Sequence, residues 1–129
     1  MVRLHRAQIH SRQRPPDSLG PLGVDITMKS AVSWARAFAP TWGMVLGSKN
    51  YHAQQRGEAI KYRDHPPLSE AAYEAAYAQL LERVPHETWR SLWQLAQAQG
   101  GALTLLCYCR PGEFCHTHTM IAWMVQRWP

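Results

Sequence analysis

The sequence predicts one α/β domain over residues 1–129: a small, mostly parallel, Rossmann-like sheet covered by helices. Three observations predict it. Residues 103–106 form an apolar run without alternation, as expected of a strand covered on both faces. Strand-like and helix-like segments follow one another in the order β, β, α, α, α, β, α, a pattern of helices laid over a sheet. The last strand runs through a Pro-Gly turn into an apolar-periodic helix, the local grammar of strand, loop and helix. A hydrophobic content of 46% beside 18% charged residues is ordinary for a globular chain of this length, which can bury a real core.

Residues 2–10 alternate loosely, with Val2, Leu4 and Ile9 as the apolar members of a first strand. Residues 12–20 are a loop by their proline and glycine content. A second short strand over 22–27 leads to Asp25, Thr27 and Lys29, polar groups at a strand terminus. Ser30 can cap a helix to about residue 39, which Pro40 ends. Its Trp34 and Phe38, with Trp42, are either core or a stacking surface for a base. Thr41 can cap a short turn bearing Trp42, Val45 and Leu46, closed by Gly47. Residues 50–67 are polar and irregular, follow Lys49, hold Arg56, Lys61 and Arg63, and are expected to be a mobile loop.

Ser69 caps a helix to residue 84, where Tyr73, Ala76, Tyr77, Leu80 and Val84 repeat at three- and four-residue steps. Pro85 is placed as the first residue of the next helix, with a stripe of Trp89, Leu92, Trp93 and Ala96 and a stop at Gly100 and Gly101. Residues 102–108 are the central strand. The final helix is expected to bury Ile121, Met124, Val125 and Trp128.

No apolar run approaches the roughly 18 residues of a membrane span, and the N-terminus lacks the apolar stretch of a signal peptide. Three cysteines, an odd number, fit reduced thiols in the cytoplasm better than a disulfide framework. Charge is asymmetric: of 14 Lys/Arg and 9 Asp/Glu in the chain, ten and four fall within residues 1–66. A basic half points to an anionic partner, a small molecule or a nucleic acid.

Chemistry concentrates between residues 107 and 118, which hold all three cysteines and two histidines. Several readings stand side by side. Cys107, Cys109, Cys115, His116 and His118 supply N and S ligands, but in no usual zinc-finger spacing, so a zinc-stabilised interaction domain is one alternative and no metal ligand is assigned. Cys115 falls where the last helix should begin, beside His116, which gives a route to a nucleophilic thiolate and an enzyme acting on nucleotides or nucleic acid. The leading expectation is an anion cradle. Free N–H groups at the helix start, with Arg110, His116 and His118, would hold a nucleotide or other phosphorylated ligand. Asp25, Thr27, Lys29 and Cys109 would complete the site; Cys115 and His116 would shape its loop here and be the catalytic groups in the enzymatic alternative, and no cofactor is identified. A buried Cys-His turn that merely joins strand to helix is the plain structural reading.

Residues 105–116, Leu-Leu-Cys-Tyr-Cys-Arg-Pro-Gly-Glu-Phe-Cys-His, resemble the C-terminal signature of the family called domain of unknown function 488. Cys107, Cys109, Pro111, Cys115 and His116 match its pattern. Residues 24–30 and 38–42, and the helix with Tyr73, Tyr77, Leu80 and Leu81, resemble its short branch found in phages and bacteria. The resemblance implies a compact α/β fold with a site at this turn, and names no reaction. The family's usual arginine after Cys-His is Thr117 here; if that arginine holds an anion, either Arg110 or His118 supplies the cation in this chain or the activity is lost.

Overall fold

A computed structural model describes residues 3–8, 24–25, 33–98, 100–107 and 114–127. Three strands pair in parallel in the order β1-β3-β2: β1 (Arg3–Gln8), β2 (Val24–Asp25) and β3 (Ala102–Cys107). In register, Gln8 lies opposite Cys107 and Asp25 opposite Leu106, so all three strands end at one edge. The rest of the described chain is a 3₁₀ helix (Ser33–Phe38) and four α-helices: α1 (Trp42–Gln55), α2 (Glu70–Glu82), α3 (His86–Ala98) and α4 (His116–Arg127).

This corrects the expected fold class. The described chain is mostly helical and is not a Rossmann-like α/β sheet. Its strands are six, two and six residues long, against α-helices of 12 to 14. The physical reason is that helix takes chain expected as short turn and loop, since α1 runs to Gln55, while β2 pairs over only two residues and the long connection from it to β3 is helical. The 3₁₀ helix, α1, α2 and α3 follow one another there with no returning strand among the described residues. A doubly wound sheet needs strand and helix to alternate. Here the helices pack largely on each other instead.

Local signals explain the helix starts. Thr41 Oγ1 accepts the Met44 N–H at 3.2 Å, and Ser69 Oγ accepts the Ala72 N–H at 3.1 Å, each satisfying an orphan donor of a first turn. Pro85 lies just outside α3 rather than at its first position, and its carbonyl accepts from Thr88 and Trp89. Gly100 and Gly101, with φ of 75° and 85°, turn the chain from α3 into β3 in a backbone region that costs other residues strain.

Two further expectations are corrected. Gly47 does not close a short turn: α1 runs through it to Gln55. Gly47 instead lets the 66–68 segment lie against the helix. A Cβ there would come 2.8 Å from the Pro66 carbonyl oxygen, and the Leu68 N–H donates to the Gly47 carbonyl at 2.9 Å. Nor is the stretch 50–67 irregular throughout. Its first residues are helical, and Asn50 binds the remainder from inside: Nδ2 donates to the Tyr62 and His65 carbonyls, both at 2.7 Å, and Oδ1 accepts the Tyr62 N–H at 3.1 Å.

The core joins Leu103 and Leu105 of β3 to Phe38, Tyr77, Leu81, Leu92, Met120 and Met124, each fully buried. Burying a leucine or methionine side chain completely is worth about 1.5–3 kcal/mol. Trp123 on α4 stacks on Trp89 of α3 at 4.5 Å, its indole N–H donates to Glu82 of α2, and Arg127 both covers the Trp123 ring and pairs with Glu82. One aromatic residue thus ties three helices together. Trp42 is 52% exposed, so it does not join Phe38 in the core, and Val125, expected inside, is 65% exposed. Trp34 and Trp128 have no described side chain, and Ser30 lies outside the described residues.

Candidate functional site

Two neighbouring features carry the chemistry. The first is the turn into α4. Cys115 immediately precedes the helix and is 2% exposed, and His116 and Thr117, which open the helix, are buried too. The Thr117 hydroxyl donates to Cys115 Sγ at 3.2 Å, and Sγ lies 3.8 Å from His116 Nδ1. The His116 ring meets Tyr77 edge-on at 5.4 Å. The Tyr77 hydroxyl donates to the Phe38 carbonyl at 2.6 Å and contacts Met120 Sδ at 3.7 Å. Burial first, then proximity to Tyr73 and Cys115, pushes the Tyr77 phenol well above its usual range.

Thr117, where the resemblance places an arginine, therefore has a definite partner: its hydroxyl serves the thiol. His118, two residues past His116, is exposed on α4 while His116 is buried. Helical spacing of two residues turns side chains to nearly opposite sides, so these histidines do not converge. Asp25 ends β2 beside β3, at the same sheet edge as Cys107, though neither side chain is described. Thr27, Lys29, Cys109 and Arg110 lie outside the described residues. Among the described residues no three His, Cys, Asp or Glu side chains group as a metal site.

The second feature is a cleft of about 640 Å³ between α1, the segment after it and the start of α2. Lys49, His52, Arg56, Lys61, Tyr62 and Glu70 line it, and Phe114 borders it. Phe114 packs edge-on against Tyr73 at 5.1 Å and near His52 at 5.9 Å, and the next residue is Cys115. Cleft and turn thus share a wall.

Arg56 pairs with Glu58 at 2.9 Å; the hydrogen bond, and then the opposite charge, raise the guanidinium pKa and lower that of the carboxyl. Lys49 and Lys61 make no ion pair among the described residues. The cleft was not assembled from the sequence. The signal was the density of basic residues between 49 and 63; what was missing was the fold of that stretch around Asn50.

The described chain thus combines helices on a narrow parallel sheet with a buried cysteine–histidine turn and a neighbouring cleft that lysines, an arginine and carboxylates line. A family model, DUF488-N3a, described as the active DUF488-N3 subclade, matches residues 5–128. The chain belongs to this DUF488 subclade. It finds no match among curated proteins or solved structures. No helix among the described residues is long and apolar enough to cross a membrane.

Proposed function

We propose that this protein binds a nucleotide or a related phosphorylated ligand in the cleft of Lys49, Arg56 and Lys61. One observation carries the reading: three cations line a single concavity, outnumbering its two carboxylates, Glu58 and Glu70, and its border, Phe114, adjoins the Cys115–His116 turn. Clustered cations in a cleft focus positive potential and favour an anionic ligand. Tyr62 and Phe114 supply aromatic surface beside them, as a base requires. Asp25, Thr27, Lys29, Cys109, Arg110 and His118 belong to the proposal through their places in the sequence, at strand ends and around the turn. A cytoplasmic location with reduced cysteines is part of the same reading.

The test is native mass spectrometry of protein purified from cells, followed by titration with nucleoside mono-, di- and triphosphates and inorganic phosphate. A retained or titratable nucleotide is expected, with affinity falling as salt rises. Lys49→Ala and Lys61→Ala are each expected to weaken binding about tenfold, the worth of one charge-assisted hydrogen bond of roughly 1.5 kcal/mol. No binding by any of these ligands, or binding indifferent to both lysines, overturns the reading.

A second reading has its own support. The Thr117 hydroxyl on the Cys115 sulfur and the adjacent His116 ring are an arrangement that a thiol nucleophile uses, and the matched subclade is described as active. On this reading Cys115 attacks a nucleotide or nucleic-acid substrate. Cys115→Ser would then abolish turnover while sparing binding; unchanged turnover sinks it.

A further inference from the structure

We propose that Ser48, His52 and Glu70 form a nucleophile–base–carboxylate relay beside the cleft, acting on an ester that carries an anionic group. His52 Nε2 lies 2.9 Å from Glu70 Oε1, and His52 Nδ1 lies 3.4 Å from Ser48 Oγ. A carboxylate only accepts, so Nε2 carries the proton and Nδ1 of the neutral ring is an acceptor. The Ser48 hydroxyl is therefore the group that donates to Nδ1. The order is that of a serine triad: hydroxyl, imidazole, and a carboxylate that fixes the imidazole's tautomer and orientation. The separation of 3.4 Å is slightly loose, as such contacts are before substrate binds.

The elements explain why the three meet. Ser48 and His52 are four residues apart on α1, hence on one face. Glu70 opens α2 directly after its cap, Ser69, and reaches back across the cleft mouth. His52 is 31% exposed and Glu70 53%, and both line the cleft, with Ser48 half-buried beside them on α1. Facing or sharing that space with His52 are Lys49, Arg56, Glu58 and Lys61, all cleft residues. Lys49 and Lys61, which make no ion pair among the described residues, select a substrate bearing phosphate or carboxylate.

The step closes without an added cofactor. Ser48 Oγ attacks the ester carbonyl, forming an O–C bond while its proton passes to His52 Nδ1. The ester C–O bond breaks, and the leaving alkoxide takes that proton. Water then hydrolyses the acyl-serine by the same route reversed. Ser48 and His52 are the catalytic residues; Glu70 is a positioning residue. The relay rests on the cleft as the ligand seat, but its test needs no bound nucleotide, so the two readings can fail separately.

The test is labelling of the whole chain with a fluorophosphonate, followed by intact mass and peptide mapping. In the labelling step the Ser48 O–P bond forms, P–F breaks, the proton goes to His52 and fluoride leaves. One adduct at Ser48 is expected, absent in Ser48→Ala. His52→Gln should slow labelling at least tenfold, the worth of a positioned general base. Glu70→Gln should slow it about tenfold, with partial recovery in Glu70→Asp. Circular dichroism and melting of each variant separate this from loss of fold, because a contact that only straps α1 to α2 would shift melting without touching labelling in the folded fraction. No adduct at Ser48, or an equal rate in folded His52→Gln, overturns the proposal.

Discussion

Replacing Asn50 with alanine is expected to destabilise the protein by about 3 kcal/mol. Each buried polar group that loses its partner costs roughly 1–3 kcal/mol, and such losses do not simply add. Asn50 is 1% exposed and serves three backbone groups, on Tyr62 and His65, 12 and 15 residues away. Without it, the carbonyls of Tyr62 and His65 and the Tyr62 N–H lose this amide together. Asn50→Asp is the informative companion. The carboxylate keeps one acceptor but has no N–H for the two carbonyls, so it should be at least as damaging. Urea unfolding measures the loss, and hydrogen exchange should locate it first in residues 56–67. The same variants should weaken any ligand of the basic cleft, since Lys61 and Tyr62 ride on the segment that Asn50 holds. Stability and exchange equal to the parent's would show that the amide does not hold this segment.

The second large effect is expected at Tyr77. Tyr77→Phe keeps the ring but removes the donor to the Phe38 carbonyl in a fully buried place, at a cost of about 2 kcal/mol at neutral pH. Its pH dependence is more diagnostic. The folded-state pKa lies above the ordinary phenol value of about 10, so the folded chain keeps its proton where the unfolded chain has lost it. This contribution is complete below about pH 10 and is lost as pH rises above it, with a limiting slope of roughly 1.4 kcal/mol per pH unit for one group. Denaturation measured between pH 9 and 11.5 should therefore fall less steeply for Tyr77→Phe than for the parent. Parallel curves would mean that the buried phenol does not control alkaline unfolding.

Signals that act over one helical turn were legible in the chain. Thr41 and Ser69 cap helices as their positions imply, and Tyr73, Tyr77, Leu92 and Ala96 face inward as their spacing implies. Gly100 and Gly101 part α3 from β3. Where the reading failed, distant contacts decided. Gly47 resembles a helix stop, but its missing side chain admits Pro66 and Leu68 instead. Val125 has the type and spacing of a core residue, yet Met120, Met124 and the partly buried Trp123 occupy the inward side of α4. The series of elements itself follows the expected order, consecutive helices included, but the helices take more of the chain and β2 less than a Rossmann-like sheet needs.

The candidate sites divide in the same way. Cys115 and His116 were visible as a pair because adjacency and a helix start are local properties. The service of Thr117 to the thiol follows from the first turn of α4. The cleft was invisible, although its lysines were not. Lys49 and Lys61 become neighbours of one cavity only after Asn50 has folded the intervening chain back. Likewise, Ser48 and His52 advertise a shared helix face, but nothing in their spacing brings Glu70 from α2 to the ring.

By itself, then, the amino-acid order determined where most helices begin, which stripes turn inward, where the thiol and imidazole stand, and the family to which the chain resembles a member. Tertiary structure alone decided how far α1 extends past Gly47, that basic residues line a cleft, and that a carboxylate from another helix meets His52. The reason is range. Caps and periodicity act between residues three or four apart, whereas a cavity is a property of surfaces that only long-distance burial and hydrogen bonding bring face to face.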